Sequence, residues 1–109
     1  MSFDTLEVSL AVLDQLAACQ PRIRRHNKSL ADQIARASES IPLNVSEARA
    51  RAGLDRADLF RRAAGSANEL TVALRIARAR GYISHADFDA VETYLDRVRA
   101  MLWRQTHTR

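Results

Sequence analysis

Apolar residues recur along this chain at alternating steps of three and four, the spacing of one face of an α-helix. The most regular stripe comprises Phe88, Val91, Leu95, Val98 and Leu102. Three more stripes have similar spacing: Leu6, Leu10, Leu13 and Ala17; Leu30, Ile34, Ala37, Ile41, Asn44 and Ala48; and Leu59, Ala63, Ser66, Leu70, Ala73 and Ala77. The pattern therefore predicts four amphipathic helices, over residues 4–18, 30–52, 56–80 and 85–104.

Capping residues and helix breakers support these bounds. Asp4 and Ser84 are each followed three residues later by an acidic residue, as at the start of many helices. Pro21, Gly53 and Gly81 are expected to end the first three helices. Because such short connectors make consecutive helices run antiparallel, we predict an all-α fold, an up-down-up-down four-helix bundle.

Composition agrees with one small all-α domain spanning residues 1–109. Three Gly and two Pro are few for a β-rich chain, whose hairpins need turn residues. Cys19 is the single cysteine, which excludes an intramolecular disulfide and favours a core residue in a reducing compartment over a reactive thiol. The absence of a long apolar run and the acidic residues 1–20 predict a cytoplasmic protein with no membrane contact.

Positive charge is concentrated in the middle of the chain. The formal net charge is +4, and residues 21–62 hold ten basic against five acidic residues. Two basic groups lie around the first and second turns between helices: Arg22, Arg24, Arg25 and Lys28; and Arg49, Arg51, Arg56, Arg61 and Arg62. They are candidates for contact with nucleic-acid phosphates, and the simpler interpretation is that they only solvate helix faces.

The alternating helix directions place these basic groups at opposite ends of the bundle, so both poles are expected to be positive. Few aromatic residues accompany them in the sequence. Trp103 and Tyr94 are the nearest candidates, and base stacking is therefore not supported.

No residue pattern indicates catalysis, a metal or a cofactor. His26, His85 and His107 have no partner at metal-ligand spacing. The chain contains neither a nucleophile elbow nor a glycine-rich phosphate loop. We therefore predict a protein that is not an enzyme and that has no catalytic residues, no metal and no cofactor.

Asn44, Glu47 and Glu69 are the most informative polar residues. An Asn in a helix seam typically fixes register or oligomeric state, because it must find hydrogen-bond partners there. The three are interpreted as a structural polar network. A ligand or catalytic pocket lined by them is the alternative.

A series of motifs runs in one register from Leu30 to Ile83. They comprise Leu30, Gln33 and Arg36; Ser40, Ile41, Asn44 and Glu47; Phe60, Ala64, Gly65, Ser66, Glu69 and Leu70; and Gly81, Tyr82 and Ile83. The series resembles the four-helix-bundle family encoded in intervening sequences of bacterial 23S ribosomal RNA genes. Two features depart from the family pattern: Ala48 replaces the usual Gly, and the approach to the second helix is basic instead of acidic.

The resemblance implies a cytoplasmic bundle that assembles as a ring-like homopentamer and has no known catalysis. A related branch, the accessory variability protein of diversity-generating retroelements, binds nucleic acid and the reverse transcriptase. The leading hypothesis is therefore a non-enzymatic homo-oligomeric scaffold, favoured as a pentamer, that binds RNA, DNA or an RNA–protein assembly. The alternative is a protein–protein adaptor whose protein partner contacts Trp103 and exposed valines of the first helix, such as Val8.

Overall fold

Four α-helices make up most of the fold. The computed structural model describes residues 4–107 and contains α1 (Thr5–His26), α2 (Lys28–Arg49), α3 (Gly53–Ala79) and α4 (His85–His107). The described residues contain no strand. The predicted all-α, four-helix fold is confirmed.

Contacts near the helix ends give the direction of each helix. The Gln20 side chain donates to the Ala31 carbonyl (2.8 Å), while Asp4, just before α1, pairs with Arg49 at the end of α2 (3.3 Å). Arg22, near the end of α1, pairs with Asp87, near the start of α4 (2.6 Å). α1 thus runs antiparallel to both α2 and α4, and the helices contact one another in the order α1–α2–α3–α4, with α4 returning to α1.

The core lies on the faces that the sequence predicts for three of the four helices. In α4, the Phe88, Val91, Leu95, Val98 and Leu102 side chains are all buried. The predicted stripes of α2 and α3 are also largely buried, with Val45 in the core beside the half-buried Asn44. Small residues such as Ala63 and Ala67 let α3 approach α2, and these two helices share the most extensive contact.

The predicted apolar stripe of α1 is wrong. Leu10 and Ala17 are exposed, and the residues that enter the core are Val8, Val12, Leu16, Cys19 and Ile23. Both stripes have helical spacing, but only the second continues over the full length of the helix. The stripe containing Leu10 therefore lies outside, as an apolar flank.

Pro21 does not end α1, which continues to His26. A proline inside a helix leaves the carbonyl four residues earlier without its amide donor. Here Pro21 and Ala17 both lie on the exposed side of α1, where water can hydrate that carbonyl. The predicted end of this helix at residue 18 is therefore eight residues too early.

The remaining helix ends follow capping chemistry. The Asp4 carboxylate accepts from the Glu7 amide (2.9 Å), and the Ser84 hydroxyl accepts from the Asp87 amide (3.0 Å), as predicted. Gly81 has φ +75 and ends α3 with a bond from the Tyr82 amide to the Ala77 carbonyl (2.9 Å).

Gly53 differs from its prediction, because it opens α3 with φ +65 instead of ending α2. α2 already ends at Arg49, and α4 continues past its predicted end to His107. No helix within residues 4–107 is long and apolar enough to cross a membrane.

Candidate functional site

Four bases lie together where α1 turns into α2. We name Arg22, Arg24, Arg25 and Lys28 the corner cluster. Asn27 alone connects the two helices, and its side chain accepts from the Leu30 amide (2.9 Å). This cap makes the turn sharp and keeps the basic end of α1 beside the start of α2.

The corner cluster carries an excess of positive charge. Arg22 pairs with Asp87 (2.6 Å) and Arg24 with Asp32 (2.9 Å). Arg25 and Lys28 are exposed, and no carboxylate within residues 4–107 pairs with them. Four bases against two carboxylates leave two positive charges without a counter-ion among the described residues, 4–107.

The second basic group is nearly neutralised by its neighbours. We name Arg49, Arg51, Arg56, Arg61 and Arg62 the turn cluster. Three of its members pair with carboxylates: Arg49 with Asp4 (3.3 Å), Arg51 with Glu47 (3.2 Å) and Arg62 with Asp58 (3.0 Å). Arg56 donates to the Ala48 carbonyl (3.1 Å), and Asp55 lines the same cleft as Glu47 and Asp58. The positive surface expected at both poles is therefore concentrated at the corner cluster.

The end of α3 joins the same pole as the corner cluster. The Tyr82 ring stacks on the His26 ring, with centroids 5.0 Å apart and planes 9° from parallel. Arg80, two residues before Tyr82, is exposed, and the Arg78 guanidinium lies over the Phe88 ring at 3.9 Å. The local sequence gives no signal for this ring pair, because the two residues belong to different helix ends that only the fold brings together.

Asp87 is the acidic residue at the centre of this pole. The Ser84 backbone amide bonds its carboxylate (3.3 Å), as does the Arg22 guanidinium (2.6 Å). The hydrogen bond from the Ser84 amide, followed by the Ser84 side chain and the charge of Arg22, holds the pKa of Asp87 below its ordinary value of 3.8. The Asp87–Arg22 pair thus ties the start of α4 to the end of α1.

The three predicted network residues do not meet within one chain. Asn44 donates to the Ser40 carbonyl (2.8 Å) and hydroxyl (2.9 Å), and that hydroxyl bonds Ser66 of α3 (2.8 Å). Glu47 is exposed and pairs with Arg51, while Glu69 is exposed on α3. The polar link between α2 and α3 therefore runs through Ser40 and Ser66. These two serines belong to the motif series, but their pairing depends on helix register.

Cys19 lies in the core, in line with its interpretation as a core residue. Its side chain is 1% exposed. Burial, followed by the charge of Asp87, raises the pKa of the thiol above its ordinary value of 9.0. A thiol held in this way is a poor nucleophile near neutral pH.

Within residues 4–107, neighbouring apolar side chains form two patches on the outside of the bundle. A groove of about 390 Å³ between α1 and α2 is lined by Leu6, Leu10, Leu13, Pro42 and Leu43, with Leu43 67% exposed. We name it the α1–α2 groove. On α3, Val72 (55% exposed) and Ile76 (44% exposed) form a second patch, which we name the α3 ridge.

The structure corrects the surface expected for an adaptor. Val8 and Val12 are buried in the core and are not available to a partner protein. Trp103 is 60% exposed and stacks on His107, with centroids 4.3 Å apart. Only the Trp103 part of that predicted surface is therefore present.

The described part of the chain has no cluster of side chains suited to a metal ion. Within residues 4–107, no three His, Cys, Asp or Glu side chains are grouped so that they could hold a metal ion. His26 and His107 instead stack on aromatic rings at opposite poles of the bundle.

Comparison with known proteins identifies what this arrangement is similar to. A family model described as 23S rRNA-intervening sequence protein matches residues 7–104, in agreement with the motif series between Leu30 and Ile83. A crystal structure from Bacteroides thetaiotaomicron VPI-5482, described as a protein with unknown function from the S23 ribosomal protein family, is also similar. It has 19% sequence identity and a TM-score of 0.84, covers 95% of this chain and 99% of that chain, and shows a shared fold. No curated protein matches the chain.

Proposed function

Because this chain belongs to the 23S rRNA-intervening sequence protein family, we propose that it is a non-enzymatic, homopentameric scaffold that binds nucleic acid. Its ligand is RNA or an RNA–protein assembly, and it acts in the cytoplasm. The observation that carries the proposal is the excess positive charge of the corner cluster, where Arg25 and Lys28 are exposed without a carboxylate partner.

The ion pairs of the corner cluster are compatible with phosphate binding. The Arg22 side chain is 42% exposed and that of Arg24 is 43% exposed. The Arg24–Asp32 pair is exposed on both sides and contributes about 0–1 kcal/mol, so a phosphate can compete with its carboxylate at little cost. The cluster therefore offers Arg25 and Lys28 directly and Arg24 by exchange of partners, while Arg22 stays paired with the less exposed Asp87.

The two outer apolar patches support assembly of the chain with copies of itself. The α1–α2 groove and the α3 ridge lie on different helices and share no residue. A contact between the groove of one copy and the ridge of the next is heterologous, and such contacts form rings when the rotation closes. In a ring, the corner cluster would repeat once per subunit and give a multivalent positive surface.

A salt-dependent RNA-binding experiment tests the proposal. We expect Arg25→Ala to weaken the binding of a structured RNA and to reduce the slope of log affinity against log salt by about one for each subunit that contacts the RNA, because each of these subunits loses one phosphate contact. Arg61→Ala is the matched control, since Arg61 is also exposed and has no carboxylate partner within residues 4–107, but it lies in the turn cluster. Filter binding at two salt concentrations measures both effects.

The outcomes separate the two interpretations of the basic residues. Weaker binding for Arg25→Ala than for Arg61→Ala supports a nucleic-acid surface at the corner cluster. Equal effects of both variants would contradict that location. If the wild type fails to bind RNA even at low salt, the nucleic-acid proposal is wrong.

A protein–protein adaptor is the second candidate function. The observation that favours it is the exposed Trp103 side chain, because large exposed aromatic residues are frequent in protein interfaces. It requires no RNA affinity, so the same filter-binding experiment distinguishes it from the first proposal.

A further inference from the structure

The His26–Tyr82 ring pair is the only aromatic stack within residues 4–107 that lies at the basic pole. The two rings are nearly parallel, 9° apart, with centroids 5.0 Å apart, which is the offset-stacked geometry. His26 closes α1, and Tyr82 follows Gly81 at the end of α3. The pair therefore joins two helix ends across the surface of the bundle.

One member of this pair remains open to solvent. Tyr82 is half-buried and packs against the core, which fixes the position of its ring. His26 is exposed although Tyr82 covers one side of it. An exposed aromatic ring that is held in place by a stack on one face can accept another flat ring on its other face.

Exposed basic residues lie next to both members of the pair along the chain. Arg25 precedes His26 directly, Lys28 follows two residues later, and both are exposed without a carboxylate partner within residues 4–107. Arg80 is exposed on the Tyr82 side. Sites for single-stranded nucleic acid combine these two elements, a charged track for the phosphates and an aromatic ring for a base.

We propose that the stacked His26–Tyr82 pair binds one unpaired base of a single-stranded or looped nucleic acid. Arg25 and Lys28 contact the phosphates that flank this base. The inference rests on the proposed nucleic-acid function and adds to it a preference for unpaired over fully paired ligand. A double helix offers the same phosphates but keeps its bases stacked inside, out of reach of His26.

The test compares two RNAs with equal numbers of phosphates. One is a hairpin with 2-aminopurine in an unpaired loop, and the other is a fully paired duplex. We expect His26→Ala to weaken hairpin binding about tenfold and to leave duplex binding unchanged, because only the hairpin loses a base stack. His26→Phe keeps a flat ring without a charge and is expected to retain hairpin affinity and the fluorescence change of 2-aminopurine.

Three controls keep the result interpretable. His26→Ala loses only the stack on Tyr82, so the variant should remain folded at the assay temperature, which circular dichroism checks. Trp103→Ala removes a stacked aromatic ring at the other pole and is expected to leave hairpin binding unchanged. A DNA hairpin of the same sequence tests whether the site depends on the sugar, and we expect His26→Ala to weaken binding of this hairpin by a similar factor, because the proposed contact is to the base.

The outcomes distinguish this inference from the proposal beneath it. His26→Ala could lower the hairpin and duplex affinities equally, or could change neither of them. If either result is found while binding stays salt-sensitive, the stacking site is wrong and the nucleic-acid proposal stands. If His26→Phe behaves like His26→Ala, the ring does not stack on a base and the inference is again overturned. If neither RNA binds wild-type protein at low salt, both are wrong.

Discussion

At the scale of single residues, Asp87 holds together the pole that carries the proposed interface. Its carboxylate accepts from the Ser84 amide at the start of α4 and pairs with Arg22 of α1. Both contacts are stronger with the ionised carboxylate than with the neutral acid, which is why its pKa lies below the ordinary value of 3.8. The stability of the fold should therefore depend on the protonation of this one group.

Acid titration of stability tests this role. A carboxyl with a lowered pKa in the folded state stabilises the fold above its ordinary pKa, and that contribution is lost as the pH falls through the lowered value. We expect the unfolding temperature of the wild type to drop as the pH falls below about 4, and to drop less in Asp87→Asn. Thermal melts followed by circular dichroism over this range measure the difference.

Asp89→Asn is the control for this titration. Asp89 is exposed on the same helix, and its carboxylate takes no part in the ion pairs described within residues 4–107. We expect this variant to follow the wild-type curve. An Asp87→Asn curve as steep as that of Asp89→Asn would show that the Asp87 contacts do not stabilise the fold.

At the scale of helices, the turn after α3 depends on one backbone conformation. Gly81 has φ +75, a region that residues with a Cβ adopt at a cost of about 1–2 kcal/mol. Gly65, in contrast, lies inside α3 with an ordinary φ, and a Cβ there would meet nothing within 4 Å. The two glycines therefore predict opposite responses to the same substitution.

We expect Gly81→Ala to lower the free energy of unfolding by about 1–2 kcal/mol and Gly65→Ala to raise it by about 0.5–1 kcal/mol. The first variant strains the turn, whereas the second removes a flexible residue from a helix interior. Urea unfolding at equilibrium measures both values. A stabilising Gly81→Ala would contradict the assigned turn geometry.

The accuracy of each helix prediction depends on whether the sequence offers one apolar stripe and one helix end, or several that compete. α4 was predictable because Ser84 caps it and only one stripe, from Phe88 to Leu102, has helical spacing. α1 carries two stripes of similar spacing. Its Pro21 lies on the exposed side, where water can hydrate the backbone carbonyl that the proline leaves without an amide donor. Composition alone cannot decide between such stripes, because the choice depends on which neighbours pack against them.

The candidate site was predictable only in part, for a related reason. The basic residues of the corner cluster are evident in the sequence, but their charge balance depends on contacts across the fold. Arg22 meets Asp87 and His26 meets Tyr82 only after α1, α3 and α4 have packed. The network predicted for Asn44 instead includes Ser40 and Ser66, since the register of α2 against α3 sets that pairing.

At the scale of the whole molecule, the outer apolar patches decide whether the chain acts alone. If the α1–α2 groove binds another copy, Leu43→Asp should lower the mass in solution, because a carboxylate would be buried in an apolar contact. Leu54→Asp is the matched control, since Leu54 is 85% exposed at the start of α3, outside the groove. Both residues are exposed in the single chain, so neither variant should unfold it.

The mass of the wild-type protein in solution tests the central proposal most directly. Light scattering on the protein in solution should give a mass of about five times the 12.2 kDa of one chain if the homopentameric scaffold is correct. A mass of 12.2 kDa would contradict the homopentameric scaffold, because a single copy would carry one corner cluster and leave both apolar patches uncovered.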